Sequence, residues 1–397
     1  MSPASATPVA PPGRLERFRT LRAKLDPTGD PADAERFYLD SSQAVSARIV
    51  AELSLAPASS HLLVGGVGSG KTTELLAIAR RMVEVPDIAT LYVDVSKHHD
   101  IARMIPGAVL ASVALQLSNR LESRRDAAPL IHAARKMAHG GWEEPDPEDH
   151  EYPLVHTPGV LVPPTPSVES LERARGPLAH LLAVLKLDAA HVVVTIDGLD
   201  RSWDVHAFDR LVRYDIAALT ELGVGVVIVG PLRALYGLER VVAQRFDSLH
   251  YQPWLDVRRD SAARDFLTAV LKKRDSDAFD SRAVTSLVSA SGGVMRDLLS
   301  LTQTSVVEVY MEGAERVEPR HVEAAIQIFG RKHLQGLRPS ELEVLQRVRT
   351  HGSFVQTSED DLALLMTRRV LEYRSNDQPR YAVHPTIEPL LAELRQI

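Results

Sequence analysis

The sequence predicts an α/β fold: a three-layer core with a mainly parallel five-stranded sheet, then an all-α domain, then a C-terminal winged-helix domain. Three observations predict it. Five short apolar or β-branched runs alternate with stretches of helical periodicity up to residue 255, the order that builds a parallel sheet covered on both faces. From Ser261 the periodicity is helical only. Residues 335–397 then read as helices, a turn, a short strand and a last helix.

Taken in order, Met1–Gly13 is rich in Pro, Ala and Ser and reads as a disordered tail, without the charged and apolar blocks of a signal peptide. Leu15–Leu25 reads as a short helix inside a flexible segment, 1–33, and Asp26–Asp33 as a break. Ala34–Leu53 carries Phe37, Tyr38, Val45 and Ile49 on one helical face. His61–Val64 is a buried strand, Thr72–Val83 a helix, Ile88–Val95 a strand and Ile105–Glu122 an amphipathic helix. Residues 127–167, with Trp142 and many Pro and Glu, read as an insertion, partly disordered or lid-like. Leu171–Leu187 returns to helix, and Val192–Ile196 is a β-branched strand. Val205–Leu222 (helix), Val224–Val229 (strand), Leu232–Gln244 (helix) and Ser248–Gln252 (strand) complete a core over 34–255. Helices at Ala262–Lys273, Ser281–Ser289, Val294–Glu312 and Glu318–Phe329 make a helical domain over 256–334. Pro339–Thr350 and Leu362–Tyr373 (helices), Ser375–Pro379 (turn), Tyr381–Val383 (strand) and Thr386–Arg395 (helix) give the winged-helix domain, 335–397.

Composition limits the function classes. The 397 residues are 45% hydrophobic and 25% charged, values of a chain with a sizeable core. A net charge of -6 argues against a general electrostatic hold on nucleic acid. Zero Cys excludes disulfides and thiolate metal sites. No apolar run reaches the roughly 18 residues of a membrane helix. These features give the expectation of a cytoplasmic protein without membrane contact.

The strongest chemical signal is Gly65-Gly66-Val67-Gly68-Ser69-Gly70-Lys71-Thr72, which matches G-x-x-x-x-G-K-[ST] between a strand and a helix. Glycines let backbone N–H groups curl around an anion, and the helix N-terminus adds its positive end. Lys71 is placed to reach the β- and γ-phosphates, and Thr72 to ligate Mg²⁺ through its hydroxyl, with Thr73 following it in the site. Asp197 ends the run Val192–Ile196, at the carboxyl edge of a sheet where ligands bind, and is the candidate second holder of Mg²⁺. Asp200 is either the residue that orients or deprotonates the attacking water, or a cap of the next helix.

These residues resemble those of AAA+/STAND-type P-loop ATPases, over roughly residues 35–397. Asp197-Gly198-Leu199-Asp200-Arg201 is similar to the acidic motif of STAND ATPases, whose second Asp serves hydrolysis; Gly198 stands where many AAA+ members carry Glu. Ser291-Gly292-Gly293-Val294-Met295-Arg296-Asp297 resembles the lid motif of origin-recognition-like AAA+ ATPases, which implies that Arg296 reaches the γ-phosphate. Arg245 stands where AAA+ proteins keep an arginine finger, with Arg240 as the alternative. Tyr381-Ala382-Val383-His384-Pro385 resembles the winged-helix His motif of STAND ATPases, which implies a contact of His384 with ADP. The strand Val224–Val229 departs from the pattern, ending in Gly230-Pro231 without a polar sensor; Arg233 is the substitute.

The resemblance implies an ATP/ADP- and Mg²⁺-dependent switch of the P-loop NTPase class. The triphosphate is clamped where three rigid bodies meet, and turnover couples to domain arrangement and to partner proteins in trans, in bacterial signalling or defence. A homo-oligomer follows if Arg245 completes a neighbour's site. The alternative is a DNA-associated ATPase resembling replication-initiator or transposition-helper ATPases. Arg368, Arg369, Arg374 and Arg380 would then line a recognition helix and wing, against the acidic Glu359-Asp360-Asp361; DNA is the lesser expectation on that charge balance. His98-His99-Asp100 lacks a third ligand nearby and reads as a polar loop.

Overall fold

A computed structural model describes residues 13–27, 36–41, 44–97, 106–138, 168–201, 205–236, 240–356, 358–375 and 378–393. Its chain divides into two units. An α/β unit comprises Ala44–Gly65 and Lys71–Gln252; a second unit comprises Met1–Gln43, Gly66–Gly70 and Pro253–Ile397. The first helix, α1 (Arg14–Lys24), belongs to the second unit.

The α/β unit runs α2 (Ser46–Leu55), β1 (Ser60–Gly65), α3 (Lys71–Met82), β2 (Ile88–Asp94), α4 (Ala108–Arg120), α5 (Ala128–Ala138), α6 (Val168–Leu185), β3 (His191–Asp197), α7 (Val205–Leu211), α8 (Ala217–Glu221), β4 (Val224–Val229), α9 (Arg240–Ala243) and β5 (Ser248–Gln252). The five strands form one sheet in the order β2-β3-β4-β1-β5, and every pairing is parallel. The inner strands β3 and β4 are buried at nearly every position and carry β-branched runs because both faces are covered. Leu62, Val64, Val192, Val194, Val226 and Ile228 face one core, packed with Leu110, Leu117, Leu181 and Leu211. The alternate residues Leu63, Val193, Val227 and Val229 face the other, packed with Ile49, Leu53, Leu75, Ile78 and Met82. Helices on both faces make the three layers, as expected from the sequence. Parallel strands aligned this way bring their carboxyl ends to one edge, which puts Gly65, Asp94 and Asp197 at the same end of the sheet.

Several expected elements differ. Of the helix expected over 34–53, Arg36 and Phe37 are helical, Tyr38–Ser41 is not, and a separate helix begins at Ser46. The start of the expected insertion is regular: α5 buries Ile131, Ala134 and Ala138, an apolar stripe at helical spacing. Residues 139–167 lie outside the described residues, as do His98, His99 and Asp100. The helix expected over 205–222 widens into a π-turn at Val212–Ile216. Within it the buried Asp215 accepts from the amides of Gly107, Val109 and Leu110 at 2.9–3.2 Å, capping α4. Of the helix expected over Leu232–Gln244, the described residues form a 3₁₀ turn, Leu232–Leu235, and the short α9; residues 237–239 lie outside the described residues. Leu362–Tyr373 is not one helix, as the second unit shows.

In the second unit α1 packs on α12 (Met295–Glu312), among α10 (Ser261–Arg274), α11 (Ser281–Ala290) and α13 (Pro319–Leu334). The segment expected to be flexible is therefore docked over α1. Phe18, Leu21 and Leu25 are buried in the helical core, and the Arg14 guanidinium donates to the carbonyls of Val309, Tyr310 and Ala314. Asp260 and Asp280 cap α10 and α11, each accepting from the second amide of its helix at 2.8 Å. The chain ends in α14 (Pro339–His351), α15 (Glu359–Met366), β6 (Val370–Ser375), β7 (Gln378–Val383) and α16 (Glu388–Glu393), helices followed by an antiparallel hairpin and a helix. Residues 370–373, expected to be helical, form strand because Val370 to Tyr373 pair with Val383 to Arg380, so cross-strand partners override the local pattern.

Candidate nucleotide site

In the α/β unit the site is built at the carboxyl ends of β1, β2 and β3. Lys71 opens α3 directly after the phosphate loop. Its side chain is buried, and its ammonium lies 3.0 Å from both the Gly65 carbonyl oxygen and Asp200 Oδ2. Thr72 follows on the exposed side of the same turn, and its hydroxyl donates to Asp197. Thr73 is half-buried one position on. Asp197 is itself buried: Oδ1 accepts from the Gly198 amide at 2.8 Å and Oδ2 from the Tyr92 hydroxyl at 3.2 Å. Burial pushes the Asp197 carboxyl above the usual carboxylate range; the Asp200 and Asp94 charges push the same way, against the Thr72 and Gly198 donors.

Asp94 and Tyr92 were not singled out from the sequence. Asp94 is in register with Asp197 across the β2–β3 pairing, and its Oδ1 accepts from the amide and hydroxyl of Ser96. The available signal was an acid closing a second buried strand beside the first. Three carboxylates and one hydroxyl thus meet at one edge, hard oxygen donors of the kind that suits Mg²⁺. Arg233 is buried in the 3₁₀ turn after β4. Arg245, the candidate finger, is partly exposed and lies 3.6 Å from Asp209 Oδ1.

In the second unit the loop residues Gly66 to Gly70 rest on residues far along the chain. Trp254, fully buried, donates its indole N–H to the Val67 carbonyl at 3.2 Å. A Cβ on Gly66 would fall 1.9 Å from the Trp254 ring, and one on Gly68 would fall 2.7 Å from Arg296 Cβ. Gly68 also takes φ +81°, a conformation that favours glycine. These glycines are therefore required by packing, apart from any duty toward an anion. The Ser69 amide closes the turn on the Gly66 carbonyl at 3.1 Å, and Gly70 is open to solvent on its Cβ side. Val294 and Arg296 begin α12 against the loop, so the Ser291–Asp297 motif and the loop's glycines share one unit. Trp254 carried no motif and was missed by the sequence reading.

His384 lies deeper. Its ring is fully buried, with Nδ1 2.8 Å from Thr386 Oγ1 and Nε2 3.5 Å from Asp297 Oδ2, and it stacks edge-on against His333. As placed, it is a packed core side chain and presents no face to a ligand. Asp297 also accepts from Arg368 Nε at 2.7 Å. Burial favours its neutral form, but His384 and Arg368 outweigh burial and bring its carboxyl down to about 2. The other three arginines assigned to a recognition helix and wing are likewise engaged within this unit. Arg369 donates to the carbonyls of His333 and Gln335, Arg374 to Glu372, and Arg380 to Asp256.

No protein-family model matches the sequence, and no curated protein does. Among solved structures the chain is similar to Orc1 of Aeropyrum pernix in complex with DNA, at 16% identity and TM-score 0.48, over 95% of this chain and 98% of that one. It is similar to Cdc6p of Pyrobaculum aerophilum at 14% identity and TM-score 0.42, over 99% and 97%. It is also similar to the RuvB Holliday junction branch migration motor of Thermotoga maritima, at 13% identity and TM-score 0.43, over 91% and 98%. Among the described residues no helix is long and apolar enough to cross a membrane.

Proposed function

We propose that the chain binds ATP with Mg²⁺ and hydrolyses it as a P-loop ATPase of the AAA+ type. The observation that supports this most is the placement of Lys71: a buried ammonium at the mouth of β1, 3.0 Å from the Asp200 carboxylate, beside the Thr72–Asp197 pair. A cation there neutralises the β- and γ-phosphates, and the preceding loop supplies amides to the same anion. Thr72 and Asp197 would hold Mg²⁺, which when bound offsets phosphate charge; the three clustered carboxylates fit a hard dication. Asp200 orients the attacking water, and the resemblance of Ser291–Asp297 to a lid motif supports a γ-phosphate role for Arg296. Arg245 remains the candidate finger for a neighbouring copy. Calorimetric titration with ATP, ADP and GTP tests this reading. Binding of adenine nucleotides that depends on Lys71 is expected, and no heat with any purine triphosphate sinks it.

For the setting, we favour the DNA-associated reading over signalling or defence, for which the comparisons give no support. The hairpin and helices after residue 335, and the lid-like motif Ser291–Asp297, are the features in its favour. Contact with phosphate would fall to exposed cations such as Arg331, Lys332, Arg347 and Arg349, because Arg368, Arg369, Arg374 and Arg380 hold partners in the chain. Fluorescence anisotropy with a labelled duplex at physiological salt checks this. Binding that is stronger with ATP than ADP and weakens with salt supports it; a flat titration in both nucleotides removes it.

A further inference from the structure

We propose that Glu52, His61 and His250 form a binding site for one zinc-type transition-metal dication, apart from the nucleotide site. The three residues come from α2, β1 and β5. His61 pairs with Ser248 and Leu63 with His250, so the two histidines stand on one sheet face, one pleat step apart on neighbouring strands. That face is covered by α2 through Ile49 and Leu53, and Glu52 sits between them on the helix.

The donor atoms converge. His61 Nδ1 is 3.1 Å from His250 Nε2 and 3.5 Å from Glu52 Oε2, and His250 Nε2 is 3.4 Å from the same oxygen. Ligand atoms about 2.0–2.1 Å from a tetrahedral zinc ion stand about 3.3 Å from one another, so this triangle already has the dimensions of one face of such a site. Both imidazoles are buried, and two nitrogens with one carboxylate oxygen form a donor set that suits a borderline dication.

Proton placement points the same way. The Ser59 hydroxyl donates its hydrogen to the Ala56 carbonyl at 2.6 Å, so it can only accept from His61 Nε2 at 2.8 Å. That fixes the His61 tautomer with its Nδ1 lone pair turned toward His250 and Glu52. An acceptor behind the ring is the usual support of a metal-bound histidine. Glu52 Oε1 takes the Arg48 guanidinium at 2.8 Å, while Glu52 Oε2 is buried without a hydrogen-bond partner. Two lone-pair acceptors thus face one another with at most the His250 Nε2 proton between them. A dication satisfies all three atoms at once.

The strand rise of about 3.3 Å per residue puts His61 about 13 Å from Gly65 along β1. An ion here acts as a staple for α2, β1 and the edge strand β5, with water in its fourth position. Three protein ligands are the minimum the geometry offers, and none of them serves the phosphate loop.

Cobalt(II) titration of the chelator-treated full chain without nucleotide tests the proposal, read by visible absorption and by metal content. One cobalt per chain with the bands of four-coordinate nitrogen–oxygen ligation, displaced by zinc, is expected. The ion should be retained in Asp197→Asn and lost in His61→Asn combined with His250→Asn. Should that double variant fail to fold by circular dichroism, Ser59→Ala decides: removing the acceptor behind His61 should weaken cobalt roughly tenfold to a hundredfold. No bound cobalt in the parent chain, cobalt unaffected by the histidine pair, or an unchanged affinity in Ser59→Ala would each overturn it.

Discussion

Lys71 Nζ is held between two oxygens of its own unit, the Gly65 carbonyl and the Asp200 carboxylate, at 3.0 Å from each. The carboxylate is an internal anion on the cation proposed to serve the nucleotide, so it would compete with phosphate for Lys71. Asp200→Asn is therefore expected to bind ATP at least as tightly as the parent chain while releasing phosphate more slowly. Fluorescent-nucleotide titration and a phosphate-release assay read the two effects apart. Unchanged turnover would move the water-orienting role elsewhere.

Removing the cation has the opposite consequence. A charge-assisted contact is worth about 1.5–3 kcal/mol, so Lys71→Ala should weaken nucleotide binding by roughly tenfold to a hundredfold or more. The loss should appear in titration calorimetry with Mg²⁺ present. Parent-like affinity would mean that the loop is not the phosphate site.

Gly66 has a packing duty separate from phosphate. Its Cβ in Gly66→Ala would meet the buried Trp254 ring at 1.9 Å, so the chain should lose roughly 1–3 kcal/mol of stability with no ligand present. Gly70→Ala meets nothing within 4 Å and bears only the cost of its φ of +98°, about 1–2 kcal/mol. Melting curves of the two variants should show the larger drop for Gly66→Ala only if the indole cannot yield.

Arg368 and His384 keep a buried carboxylate ionised. Asp297 titrates near 2, below its unfolded value of about 3.9, so it contributes stability above the unfolded value, and that contribution is lost as pH falls through about 2. Arg368→Ala strands the Asp297 charge and should cost about 3–5 kcal/mol. Acid unfolding should shift to higher pH in that variant. For this reason Arg368 is a poor probe of DNA contact, since its loss disturbs the fold first.

Asp215 behaves with the opposite sign. Burial pushes its carboxyl up to about 7, although three amide groups favour the anion. A raised carboxyl holds its proton better in the folded chain, so stability should fall as pH rises from about 4 to about 7. Asp215→Asn should flatten that slope and also weaken the cap on α4. Urea midpoints measured across this range check both.

The sheet was legible because its strands are buried on both faces. Val192–Ile196 and Val224–Val229 carry β-branched side chains at nearly every position, and the phosphate loop follows the only glycine-rich strand end. Lys71, Thr72 and Asp197 were legible for the same local reason. What escaped was set by distant partners. Residues 370–373 look helical until they pair with 380–383, and Asp94 looks like an ordinary strand end until Asp197 stands beside it. Trp254 and His250 lie some 190 residues from Val67 and His61, so no spacing rule connects them. Arg368 and Arg380 look like surface cations in the sequence because their acceptors, Asp297 and Asp256, lie in another part of it.

Trp254 is the one tryptophan among the described residues, and its indole N–H is bonded to the phosphate loop itself. The chain thus carries an optical probe at the spot where an anion would bend the backbone. With Trp142 and Trp203 replaced by Phe, its emission should change in colour and intensity as the loop rearranges, which allows occupancy to be followed in real time without attaching a dye.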